Sequence, residues 1–211
     1  MNLIGLLGGT FDPIHYGHLR IALDVQQALD LTEVRMIPCY LPPHREGPST
    51  SAQQRLAMLH LAVTNEPSLV VDEREFIRGG PSYTVDTLVS LRADYPSDAL
   101  CLILGSDAFE GLYQWHQWQR ISCLAHIVVA YRPGWRGAEH SAMMTRLKEN
   151  YTQDVRDLLA VPYGKVIASP VTQLEISATR IRQLVKLGQS PRFLLPDSVF
   201  EYIKINEIYQ R

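Results

Sequence analysis

Short apolar runs recur along this chain, and most of them stop at a glycine or a proline. Leu3–Leu7 ends at Gly8-Gly9, Glu33–Cys39 meets Pro38, Ala99–Leu104 ends at Gly105, and Ala125–Ala130 leads to Arg132-Pro133-Gly134. Runs this short and this apolar fit strands buried on both faces of a parallel sheet. Leu69–Val71 and Lys165–Ala168 extend the series. Between them the apolar residues recur at helical spacing. Leu19, Leu23 and Leu29 follow from about Tyr16. Leu56, Leu59 and Leu61-Ala62 follow Ser51 and Gln54, a capping-box pair, and Val85, Leu88 and Leu91 follow Thr84, a candidate cap.

Regular alternation of strand and helix predicts an α/β fold, with a doubly wound (Rossmann-like), mostly parallel sheet and helices on both faces. With 211 residues the chain fits a single domain, residues 1–211. Residues 138–159 read as helix on a polar, peripheral surface, and Leu194–Ile203, opened by Pro196-Asp197, reads as a closing helix. Hydrophobic content of 46% and charged content of 20% suit a globular protein. A formal net charge of −2 speaks against a nucleic-acid partner. No apolar run reaches membrane-spanning length, and no basic segment precedes the first strand, so neither a membrane nor a leader is expected. Cys39, Cys101 and Cys123 are odd in number and far apart, which fits buried reduced thiols and a cytoplasmic setting. Composition leaves a homo-oligomer open.

In doubly wound sheets ligands sit outside the carboxyl ends of the strands. The chemically suggestive residues all fall there: Gly8 to His18 after the first strand, Pro42 to Arg45 after the second, then Gly105 to Asp107 and Arg132. The first of these groups is the richest. Gly8 and Gly9 lack a Cβ and allow close approach to a bound group. Asp12-Pro13 bends the chain into a helix whose positive end carries His15 and His18, three apart and able to point from one face. Together they form a place for phosphate. It is not a Walker A loop, since no Gly-Lys-Ser/Thr follows, and no G-x-G-x-x-G is present. Two histidines alone do not complete a zinc site. Near the C-terminus, Ile176-Ser177-Ala178-Thr179-Arg180-Ile181-Arg182 opens another helix with hydroxyls, free N–H groups and Arg182. Taken alone, that Ser/Thr cluster reads as an ordinary cap.

G-G-T-F-D-P-I-H-Y-G-H together with I-S-A-T-R-I-R resembles the nucleotidyltransferase superfamily, whose H-x-G-H element grips nucleoside triphosphate. Across the whole chain the sequence is similar to the bacterial nicotinate-nucleotide adenylyltransferases, also at P-P-H-R, P-S-Y-T, G-S-D followed by a tryptophan, and R-P-G. The resemblance implies transfer of adenylyl from ATP to nicotinate mononucleotide, with Mg²⁺ accompanying ATP and no protein metal site. It implies ATP contacts at Gly8, Gly9, Thr10, Phe11, His15, His18, Gly105, Ile176, Ser177, Thr179 and Arg182. For the mononucleotide it implies His44, Arg45, Tyr83, Thr84, Asp107, Trp115, His116 and Arg132. His15, His18, Arg45 and Arg182 would carry the chemistry. Arg45 departs from the lysine common in that branch, replacing a point charge by a planar fork. Trp115 reads equally as a stacking face for a cationic pyridine or as a half-buried core residue. The competing readings are adenylyl transfer to another phosphate such as phosphopantetheine, a non-catalytic nucleotide sensor, and a tRNA-binding relative, for which the net charge leaves little room.

Overall fold

The computed structural model describes residues 1–43, 47–132 and 141–210. Seven strands form one sheet: β1 (Leu3–Gly9), β2 (Glu33–Pro38), β3 (Leu69–Val71), β4 (Ala99–Gly105), β5 (His126–Tyr131), β6 (Tyr151–Thr152) and β7 (Val166–Pro170). Their order is β3-β2-β1-β4-β5-β7-β6, and every pairing is parallel. β1 lies inside the sheet, flanked by β2 and β4, and the register sets Gly9 beside Pro38 and Gly105 beside Ala130. The carboxyl ends of these strands therefore form one edge.

Period-two alternation sorts the buried strands between two cores. From β1, Leu3 and Leu7 join one face while Ile4 and Leu6 join the other. From β4, Ala99, Cys101 and Ile103 join the first face, and Leu100, Leu102 and Leu104 the second. Burying each leucine contributes about 1.5–3 kcal/mol. Gly5 has a packing reason, because a Cβ there would lie 2.8 Å from Leu31 Cδ1 and 3.0 Å from Val34 Cγ2.

The first face is covered by α1 (Tyr16–Ala28), α2 (Ala52–Val63), α9 (Ala178–Lys186) and α10 (Asp197–Ile205). The second is covered by α4 (Thr84–Asp94), α5 (Ser106–Glu110), α6 (Trp118–Ile121) and α7 (Ala142–Leu147). The shorter α3 (Arg74–Arg78) and α8 (Arg156–Ala160) complete the set. The expected capping box opens α2, with Ser51 Oγ accepting from Gln54 N–H at 3.2 Å and Gln54 Oε1 accepting from Ser51 N–H at 3.1 Å.

Three expectations are corrected. Of the three cysteines expected to be buried, Cys101 is, while Cys39 is half-buried and Cys123 is exposed. Thr84 is the first helical residue of α4 and not its cap; Tyr83 holds that position in extended conformation, its side chain making no capping bond to the helix. The stretch read as peripheral helix contains strand β6, and Met143, Met144 and Leu147 of α7 are buried in the second core. Its methionines fill the sheet face that the strands leave open. Residues 133–140 lie outside the described chain.

Candidate active site

The turn after β1 is built around one aromatic ring. Phe11 takes a left-handed conformation (φ 49°), which folds its ring back over Gly9. A Cβ on Gly9 would stand 2.6 Å from that ring, so the Phe11 ring itself requires glycine there. The Phe11 ring then meets His18 edge-on, with centroids 5.1 Å apart and planes at 86°. Gly8, by contrast, faces open space.

His15 occupies the N-cap position of α1, in extended conformation. Its imidazole is buried, at 5% exposure, and stacks on that of His18. Gly17 permits this: a Cβ there would lie 3.0 Å from both Cε1 and Nδ1 of His15. The same Cβ would lie 3.5 Å from the Ile176 carbonyl oxygen, so the two motifs meet across Gly17. Burial lowers the His15 pKa to about 4, and burial reinforced by the neighbouring His15 lowers that of His18 to about 3. At neutral pH both rings are uncharged donors, not the cations that a phosphate site suggests at first sight.

The positive charge comes from α9. Arg182 donates through Nη1 to the Asp12 carbonyl at 2.7 Å and through Nη2 to Thr179 Oγ1 at 3.3 Å. Ser177 caps α9, its Oγ accepting from Arg180 N–H at 3.2 Å, which leaves its own O–H to donate. A cleft of about 460 Å³ is lined by Thr10, Phe11, His18, Pro42, Thr179 and Arg182, among others.

A second cleft, also about 460 Å³, is lined by Thr10, Pro42, Tyr83, Thr84, Trp115 and His116, among others. Thr10 and Pro42 belong to both, so the two clefts meet at these residues. The Tyr83 and His116 rings lie 4.5 Å apart. Trp115 is half-buried, packed against the second core and at the same time part of the cleft lining. The N–H groups of Thr84 and His116 make no hydrogen bond among the described residues. A deeper cavity of about 230 Å³ continues from Thr84 and Trp115 to Gly8, Cys39 and the buried Glu75, whose Oε1 accepts from Thr87 Oγ1 at 2.6 Å.

Gly105, Asp107 and Arg132 are exposed along the same sheet edge, yet none lines either cleft. His44 and Arg45 fall outside the described residues. Asp72 proves to be a scaffold residue, buried and paired with Arg74 at 2.9 Å and Arg35 at 3.0 Å.

Two important residues have roles that the sequence does not disclose, Asp12, which reads only as a bend, and Arg55. Asp12 is 6% exposed and accepts from Ser49 N–H (2.8 Å), Thr50 Oγ1 (2.7 Å) and Tyr209 hydroxyl (2.6 Å). Arg55, 1% exposed on α2, donates to the carbonyls of Thr10 (2.8 Å), Cys39 (2.5 Å) and Tyr40 (3.0 Å), and so binds the loops after β1 and β2 together. Among the described residues, no group of three or more His, Cys, Asp or Glu side chains could hold a metal ion. The Asp12 carboxylate, the acidic group on the first cleft, is already engaged by three donors.

The cytidylyltransferase-like family model matches residues 6–184. A protein of Aeromonas hydrophila, named probable nicotinate-nucleotide adenylyltransferase, is 46% identical over 207 residues, covering 98% of this chain and 97% of its own. One of the same name from Hahella chejuensis is 49% identical over 208 residues, covering 98% and 95%. Among solved structures, Plasmodium falciparum nicotinic acid mononucleotide adenylyltransferase complexed with NaAD superposes with a TM-score of 0.74 at 17% identity, covering 99% of this chain and 98% of that one.

Proposed function

The chain belongs to the nicotinate-nucleotide adenylyltransferases of the cytidylyltransferase-like family, and from that membership we propose that it joins ATP and nicotinate mononucleotide, releasing pyrophosphate and forming nicotinate adenine dinucleotide. One observation carries this reading to the level of residues: the cleft bearing His18, Thr179 and Arg182 meets the cleft bearing Thr84 and Trp115 at Thr10 and Pro42. A triphosphate in the first would present its α-phosphorus to a phosphate entering from the second.

The acceptor's phosphate monoester has a second pKa near about 6, so at neutral pH it is mostly a dianion and needs no general base. The residues at hand match that requirement. His15 and His18 are neutral donors, and Arg182 is a fixed cation. Their work is to position the triphosphate and to stabilise the charge that grows on the α-phosphate and the departing pyrophosphate. Ser177, Thr179 and Arg182 are assigned to the β- and γ-phosphates, with Arg45 joining them from the loop after β2. Gly105 and Ile176 border the adenine. Mg²⁺ enters as part of the substrate, MgATP. With the Asp12 carboxylate already engaged, phosphate oxygens and water would make up its coordination shell.

On the acceptor side, the flat face of Trp115 suits a cationic pyridine ring. The unengaged N–H groups of Thr84 and His116 suit its carboxylate, while Tyr83, Asp107, His44 and Arg132 are assigned to the rest of the mononucleotide. A carboxylate accepts from two N–H groups, whereas an amide must turn its own NH₂ toward one of them. That mismatch costs about 1–3 kcal/mol, so the acid is preferred at least about tenfold over the amide. ATP as a substrate suits a cytoplasmic setting, and no helix among the described residues is long and apolar enough to cross a membrane.

The test is pyrophosphate release from MgATP with nicotinate mononucleotide, nicotinamide mononucleotide and phosphopantetheine in parallel. Release with the first, weak release with the second and none with the third supports the reading. Preference for phosphopantetheine, or no release with any acceptor, overturns it.

A further inference from the structure

The last described residues return to the nucleotide cleft. Beyond α10, Glu207 (φ 50°) and Tyr209 (φ 66°) both take the left-handed conformation that bulky side chains rarely adopt. Those two turns carry the tail back over α9. Tyr209 hydroxyl ends 2.6 Å from Asp12 Oδ1, across 197 residues of sequence. Burial, with the Asp12 carboxylate next, pushes the phenol pKa up, so Tyr209 remains a donor throughout the neutral range.

Asp12 faces two ways. Its carboxylate gathers Tyr209, Thr50 Oγ1 and Ser49 N–H, while its main-chain carbonyl accepts Arg182 Nη1 at 2.7 Å. The side chain thus ties down the peptide that aims the arginine. Tyr209 also lines a cavity of about 520 Å³ that shares Ser49, Thr179 and Arg182 with the first cleft. The tail therefore stands directly behind the arginine that holds the triphosphate.

We propose that Tyr209 is a positioning residue for adenylyl transfer: its hydroxyl, through Asp12, fixes the carbonyl that orients Arg182 toward the triphosphate. The proposal rests on the assignment of that cleft to ATP. Losing the hydroxyl leaves one charge-assisted bond unmade at a buried carboxylate, and the Asp12 peptide loses one of its anchors. The effect reaches ATP through Arg182 and leaves the acceptor cleft untouched, which separates it from a general loss of structure.

The test is calorimetric binding of MgATP to the full chain, its Tyr209→Phe variant, Arg182→Ala, and the double variant. Tyr209→Phe is expected to weaken MgATP about tenfold, with the KM for nicotinate mononucleotide unchanged within about twofold. In the Arg182→Ala background, Tyr209→Phe is expected to add little, because the arginine it aims is gone. An equal effect in both backgrounds, or none in either, overturns the proposal. Should Tyr209→Phe fail to yield folded protein, Asp12→Asn reads the same linkage, with the same loss in one background and not the other. If the unaltered chain does not bind MgATP, the assignment of the cleft has failed; if it binds and Tyr209→Phe binds equally well, only the role of Tyr209 has.

Discussion

The imidazoles of His15 and His18 lie stacked, ring centroids 3.8 Å apart and planes inclined by 26°, and each buries an Nδ1 with no hydrogen-bond partner among the described residues. Two imidazolium ions at that spacing would repel strongly, and burial, reinforced at His18 by the neighbouring His15, keeps both rings neutral. An unpaired buried donor or acceptor costs about 1–3 kcal/mol. Such an arrangement is poor for stability and well suited to receiving a triphosphate, which is where structures depart from local consistency.

Neutral histidines give stability a pH dependence of definite sign. The unfolded chain protonates its histidines near the ordinary imidazole value of about 6.5, while the folded chain holds His15 neutral down to about 4 and His18 down to about 3. Between about pH 6.5 and 4 the unfolded state binds more protons, so stability declines as pH falls through that window and is fully present above it. Urea unfolding at pH 7 and pH 5 measures this, and His18→Gln should make the decline shallower. An unchanged decline in that variant would show that His18 does not drive it.

If His18 stabilises charge that grows at the α-phosphate, His18→Ala lowers kcat about a hundredfold or more and raises the KM for ATP much less. Steady-state kinetics decide it. A raised KM with near-normal kcat would assign His18 to ground-state binding.

Gly17→Ala tests the stacked pair without removing a functional group. The added Cβ would lie 3.0 Å from the His15 ring, and the imidazole must shift to relieve it. A misplacement of about 1 Å costs about a hundredfold in turnover, so this smaller shift should cost less, about several-fold, with circular dichroism unchanged. Full activity would show that the stacking is dispensable.

Trp115→Ala should raise the KM for nicotinate mononucleotide while MgATP binding stays constant, since stacking acts on one substrate. Base–aromatic stacking is worth about 1–3 kcal/mol, or roughly five- to 150-fold. Equal weakening of both substrates, or loss of folding, would assign the ring to the core it also touches.

Arg55→Met removes a guanidinium that serves three buried carbonyls, those of Thr10, Cys39 and Tyr40. Each unsatisfied carbonyl costs about 1–3 kcal/mol, so the variant should lose at least about 3 kcal/mol and melt roughly 6–12 °C lower. A melting point within 2 °C of the unaltered chain, on the order of the shift for 1 kcal/mol, would contradict this.

The contrast between Arg55 and His15 shows what the sequence reveals. Apolar runs closed by Gly9, Pro38 and Gly105 disclose the strands, and parallel connectivity then forces their carboxyl ends onto one edge. His15, His18 and Thr179 are legible because their chemistry is concentrated in short motifs. Arg55 reads as a solvated position on a helix, and Asp12 as a turn residue; only tertiary structure turns them inward. Tyr209 is further still, since its partner lies 197 residues away. Strand β6 has two residues, too few for any period to emerge. The neutral state of the histidine pair follows from burial, which no spacing encodes.

In the proposed reaction the phosphate of nicotinate mononucleotide displaces pyrophosphate directly at the α-phosphorus. This displacement is tested by incubating the protein with MgATP and mononucleotide labelled with ¹⁸O in its phosphate, then weighing the products by mass spectrometry. The account predicts nicotinate adenine dinucleotide retaining every labelled oxygen, one of them now bridging, with unlabelled pyrophosphate. Failure to form the dinucleotide, or label emerging in the pyrophosphate, would contradict it.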